Sequence, residues 1–189
     1  MMAFREDKAT ALAAVFLECA GGSIEYLKLL KLMYLAERES MRLLGTSITD
    51  DIFVSMKHGP VLSSTYDLIK ENWDDIDHAT WMKTIAKSKN FKVQLRVPID
   101  PLVYLSPFEV QIAQDLWGLF KDVDQWQIVK WIHETFPEWT STTSSIKIED
   151  WEIFKALGFE DEEIARRENL KRSVRELERM LSQTNEAVG

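Results

Sequence analysis

The sequence predicts a mainly α fold: a compact helical domain around one central buried helix, with one β-hairpin and a C-terminal helical arm. Three observations lead to it. The stretch from Ile24 to Leu44 is apolar nearly all round, and Lys28 and Lys31 are the only charges in its middle, from Tyr26 to Ala36. That is the pattern of a helix enclosed by other elements. Helical spacing recurs in several further segments, and sustained alternation of apolar and polar residues is confined to residues 80–97.

Ala9, Leu12, Ala13, Phe16 and Ala20 fall at i, i+3, i+4 spacing, so a first amphipathic helix spans about Arg5 to Cys19. Gly21-Gly22 ends it, and Ser23 is a candidate N-cap for the central helix, which Gly45 closes. Lys28 and Lys31, three residues apart, share a face of that helix. Two readings stand: one wet strip along a mostly buried helix, or a Lys31 that anchors a buried polar contact fixing a neighbouring loop.

A polar turn from Thr46 leads into a short β-prone run ending at Met56, which delivers the chain to Lys57-His58-Gly59-Pro60. Gly59 permits backbone angles other residues resist, and Pro60 is placed to start the next helix, running through Tyr66 to about Asn72. This turn is expected to dock on the central helix near Lys31 and Tyr34. Trp73-Asp74-Asp75 breaks the pattern, and residues 80–97 then form the hairpin, stopped by Pro98 and Pro101.

Ser106-Pro107-Phe108-Glu109 is a capping sequence for a helix through Phe120. Asp124 caps another, through Ile132 to Phe136, and Pro137 stops it. A Ser/Thr-rich loop, Thr140 to Ser145, leads to a short helix around Trp151 that ends near Gly158. Beyond it, Leu170, Val174, Leu177 and Leu181 make a narrow seam on a long charged helix. We divide the chain into a helical domain, 1–158, and an arm, 159–189. The seam is expected to dock on its own body, on a sister chain in a homodimer, or on a partner.

Composition bounds the function. At 189 residues and 22.0 kDa, with 46% hydrophobic and 29% charged residues, the chain has the make-up of a globular domain. A net charge of −8 repels nucleic acid and anionic membranes and favours basic partners. Cys19, the single cysteine, sits among apolar residues as a buried structural thiol would, and it suits a reducing cytoplasm. No span has the length and apolar character of a membrane helix, and we read the protein as cytosolic.

Catalytic and ligand motifs are not found. His58, His78 and His133 have no second ligand at metal spacing, and the seven glycines form no phosphate-cradling loop. We expect no metal, no cofactor and no enzyme. Lys83, Lys87, Lys89, Lys92 and Arg96 put a basic patch on the predicted hairpin, either as solvated edge lysines or as the wing of a nucleic-acid-binding regulator. Trp126, Trp131, Trp139 and Trp151 fall in one region, and a shared aromatic core is expected for most of them.

Lys28 to Ala36, with Lys31 and Tyr34, followed by Lys57-His58-Gly59-Pro60 and Tyr66, resembles the signature of the Panacea domain of SocA-like antitoxins. Leu105 to Glu109 and Phe136-Pro137-Glu138-Trp139 are similar to its second half. The resemblance implies a mainly helical antitoxin, of a kind often found on mobile elements, that neutralises a cognate protein toxin by direct binding. In one branch of the family it implies an adaptor that delivers its toxin to an ATP-dependent protease. The motif residues Lys28, Lys31, Tyr34, Lys57, His58, Gly59, Pro60, Tyr66 and Trp139 are then the candidates for partner binding.

Overall fold

The computed structural model describes residues 4–71 and 78–186. Among them it shows eight α-helices and two three-stranded antiparallel sheets, a mixed α/β architecture rather than a mainly α one with a single hairpin. Helix α1 (Glu6–Cys19) packs beside α2 (Tyr26–Leu44), and both are apolar on most sides because other elements surround them. Leu29, Leu30, Leu32, Met33 and Tyr34 are each at most 1% exposed. Burying each large aliphatic side chain stabilises the fold by about 1.5–3 kcal/mol.

Ser23 is not a cap. Ser23–Glu25 forms strand β1, and Glu25 takes the cap position of α2. The strand pairs with β5 (Lys92–Leu95), which pairs in turn with β4 (Ile85–Ser88), giving a sheet in the order β1-β5-β4. Residues 80–84 are therefore not part of the hairpin. They belong to a short helix, α4 (Ala79–Thr84), because Trp81, Thr84 and Ile85 are buried at i, i+3, i+4 spacing against α1. The buried carboxylate of Glu6 accepts the Trp81 N–H and satisfies a donor at the start of that helix. Asn90 and Phe91, both with φ of 59°, turn the hairpin in the left-handed region that a type I′ turn requires.

The second sheet has the order β3-β2-β6, built from β2 (Phe53–Met56), β3 (Gly59–Leu62) and β6 (Ile146–Ile148). Pro60 does not begin a helix. It sits in edge strand β3 opposite Ser55, a location in a sheet where a missing N–H is tolerated. The helix starts at Ser63 (α3, Ser63–Lys70), where the buried carboxylate of Asp51 accepts the N–H groups of Ser64 and Thr65 and the Thr65 hydroxyl, each at 2.8 Å. The expected helix end at Asn72 and the break at Trp73 lie outside the described residues.

After a 3-10 turn at Pro101–Val103, both predicted caps are present. Ser106 and Glu109 form the capping box of α5 (Pro107–Phe120), and Asp124 with Gln127 that of α6 (Gln125–Thr135). Helix α7 (Asp150–Ala156) follows β6, and α8 (Asp161–Glu186) runs beyond it. Ile164 reaches the core, while the seam residues Leu170, Val174 and Leu177 are exposed and the Leu181 side chain lies outside the described set. Cys19 is exposed, not buried, at the last position of α1, where the N–H groups of Gly21 and Gly22 close the helix on the carbonyls of Glu18 and Leu17. No helix among the described residues is long and apolar enough to cross a membrane.

Candidate functional site

The sequence motifs converge where α2 meets the β2–β3 turn and the end of α6. Lys31 is completely buried, too deep for its stem to carry the ammonium to water. Its Nζ donates to the carbonyl oxygen of Pro60 at 2.7 Å, which pins the turn to the helix as the anchoring alternative requires. Burial alone lowers the Lys31 pKa to about 7. Lys28 is 7% exposed and donates to the carbonyls of Lys121 and Val123, both at 2.8 Å. It clamps the α5–α6 connection, so the wet-strip reading fails for both lysines.

Gly59 takes φ of +94°, and a Cβ there would lie 2.9 Å from Lys31 Nζ. Both facts demand glycine. Tyr34 stands edge-on to Phe53 at 5.9 Å, and its hydroxyl donates to Glu138 at 3.0 Å. Glu138 also accepts from Arg38 Nε at 2.7 Å, and the Arg38 guanidinium lies 4.1 Å from the centre of the Phe136 ring. Burial, then the neighbouring Glu138 carboxylate, pushes the Tyr34 phenol well up, so it remains a donor.

Trp139 stacks flat on His133, with ring centres 3.7 Å apart and planes 5° from parallel, and its indole N–H donates to the Met56 carbonyl at 3.0 Å. His133 and Trp139 thus hold the turn beside Lys31, His133 near Gly59 and Trp139 at Met56. At the tip, His58 is exposed and meets the edge of Trp126 at 5.3 Å, and Lys57 beside it is exposed too.

Lys31, Tyr34, Gly59, Pro60 and Trp139 therefore share one cluster, with Lys57 and His58 on its rim. Lys28 and Tyr66 make their contacts elsewhere, Tyr66 on α3 where its ring centre is 5.6 Å from the Lys70 ammonium. The cluster adds Arg38, His133, Phe136 and Glu138, none of which is among the partner-binding candidates, although Phe136 and Glu138 lie in the stretch that carries the resemblance. Arg38 could have been found, since it shares the helical face of Lys31 and Tyr34 at i+7 and i+4. His133 and Glu138 carried no local signal of a contact with the turn.

The aromatic side chains around this cluster do not form a shared core. Trp126 is 53% exposed and Trp131 39%, with Trp131 touching Phe120 and Phe136, and Trp151 is exposed on α7. The core expectation fails because Ile128, Val129 and Ile132 take the inward face of α6. The basic patch is also thinner than its sequence suggests. Lys83 lies on α4, Lys87 is tied to Glu71 at 2.8 Å, and Lys92 is 3.3 Å from Glu25.

Among the described residues no group of three or more His, Cys, Asp or Glu side chains could hold a metal ion. Most polar atoms of the cluster are spent on backbone carbonyls and on each other, while His133 Nε2 and Glu138 Oε2 are buried with no hydrogen-bond partner among the described residues. Two grooves, of about 430 and 350 Å3, lie instead along α8.

The turn is thus held by Lys31 from α2 and by Trp139 from beyond α6, with the exposed indole of Trp126 against its tip. The family of SocA-like antitoxins, through its Panacea domain, matches residues 29–140, more than half of the 189, and the chain belongs to that family. It is a family of antitoxins, not one of enzymes. The matched region runs from inside α2 to the residue after Trp139 and holds the whole cluster. Neither the curated proteins nor the solved structures gave a match.

Proposed function

We propose that the protein is the antitoxin of a toxin–antitoxin pair and neutralises its cognate protein toxin by direct binding, through the surface formed by the β2–β3 turn and α6. The observation that carries this reading is the placement of exposed Trp126, which meets His58 at the tip of a turn whose backbone is held by buried groups. Binding energy at protein interfaces concentrates in aromatic anchors, and anchors on rigid supports lose little entropy on docking. The net charge of −8 supports a basic partner. Delivery of the bound toxin to an ATP-dependent protease is a further step that the same surface would serve. The exposed seam of α8 offers a separate contact for a sister chain.

Co-expression with the product of the adjacent gene tests the proposal. The expected result is relief of that product's growth arrest and recovery of the two chains in equal amounts. Persistent arrest and recovery of this chain alone would contradict it.

A further inference from the structure

Three basic groups converge on the β2–β3 turn, and none has an acidic partner there. Lys31 comes from α2, His133 from α6 and His58 from the turn itself. Lys31 Nζ and His133 Nε2 lie 2.9 and 3.5 Å from the place a Cβ on Gly59 would occupy, so both nitrogens border the same side of the glycine. His133 Nε2 is buried and has no hydrogen-bond partner among the described residues. Its other face is closed by the stacked Trp139.

The remaining charged groups of the packed elements are engaged or turned to solvent. Glu138 gives its Oε1 to Tyr34 and Arg38 while its Oε2 is buried without a hydrogen-bond partner among the described residues, Lys57 is exposed at the tip, and Lys130 and Glu134 sit exposed on α6, 3.9 Å from each other. The charges felt by His133 are those of Lys31 and His58, both of which oppose its protonation, as its burial does.

We propose that the β2–β3 turn is a pH-operated latch. With His133 neutral, Gly59 seats against the imidazole and Lys31 together. A proton on His133 sets a second cation beside the Lys31 ammonium with no carboxylate to offset it, and the turn is released. The charge around the turn grows steeply on acidification because Lys31 completes its own protonation in the same interval, at about pH 7. The latch belongs to the fold and does not require the partner to be a toxin. Where the turn presents Lys57 and His58 to a partner, that surface has one shape above neutral pH and a loosened one in acid.

Amide hydrogen exchange of residues 55–62 in the full chain, corrected for intrinsic rates, reads the latch directly. Protection should fall as the pH is lowered from 8 to 5.5, because the released turn lets His133 bind its proton more tightly than the latched one does. His133→Phe keeps the stack on Trp139 but cannot take a proton, so its protection should fall less on acidification than that of the wild type, leaving only the part that Lys31 contributes. Lys31→Met should raise the titration midpoint of the His133 imidazole, followed by NMR, by removing the adjacent charge. Equal protection of the wild type at both pH values would overturn the latch. So would an unchanged pH response in His133→Phe, or a His133 midpoint indifferent to Lys31.

Discussion

The two halves of α2 hold neighbouring loops with buried charges of opposite sign, and the charges are matched to different degrees. In the N-terminal half, Lys28 serves two carbonyls and Lys31 only one, although each ammonium carries three donors. In the C-terminal half, Glu37 is fully buried and accepts the N–H of Ile48, the N–H of Thr49 and the Thr49 hydroxyl. Both halves do the same structural work, since loops that cross a core must satisfy their backbone groups there. The difference is that Glu37 is nearly saturated, whereas Lys31 is left with spare donors beside a histidine. The saturated end is a fixed joint, and the unsaturated end is the one able to respond to conditions.

The largest effect should come from breaking the saturated end. Glu37→Ala leaves three buried donors without an acceptor and should cost about 3–5 kcal/mol in urea unfolding. A loss below about 1 kcal/mol would show that the 46–52 loop finds other acceptors. Gly59→Ala, at the other end, forces a side chain into the left-handed region and against Lys31 Nζ. It should cost about 2 kcal/mol, and a neutral result would mean that the turn is held less tightly than its contacts require.

The two ends also oppose each other in pH. Burial raises Glu37 to about 7 from an ordinary 4.5, so the native state binds the extra proton and stability falls as pH rises from 4.5 to 7. Lys31, lowered to about 7 from 10.5, binds its proton more weakly in the native state, so stability rises from pH 7 toward 10.5. Together they place a dip in stability near neutrality, to be read as melting temperature against pH. Glu37→Gln should flatten the acid side and Lys31→Met the alkaline side. If either variant kept its wild-type slope, the burial assigned to that charge would be refuted. The smallest effect is expected at Lys28. It is matched by two carbonyls close to the surface, and Lys28→Met should cost about 1 kcal/mol by the same unfolding measurement.

Much of this was legible in the sequence, for physical reasons that can be named. The caps at Ser106 and Asp124, the glycine stop at Gly45 and the enclosed character of α2 are local signals, because each depends on residues within a turn or two. The fold class was less legible. Strand β1 and strand β6 are three residues each, and both exist only because a distant strand pairs with them. Pro60 looked like a helix start because its fixed φ suits one, yet Asp51, thirteen residues before Ser64, supplies the acceptor that sets the true start. Within the site, Lys31 and Gly59 could be named from sequence. The stack of His133 on Trp139 could not, since nothing local brings α6 to the turn.

The proposed docking surface is tested most directly by the rescue of growth by Trp126→Ala/Trp131→Ala, co-expressed with the product of the adjacent gene. Trp126 is largely exposed whereas Trp131 packs on Phe120 and Phe136, so the melting temperature of the double variant is measured beside its rescue. The double variant should lose rescue and no longer co-purify with that product. Full rescue by a double variant that folds normally would place the docking surface elsewhere on the molecule and contradict the account.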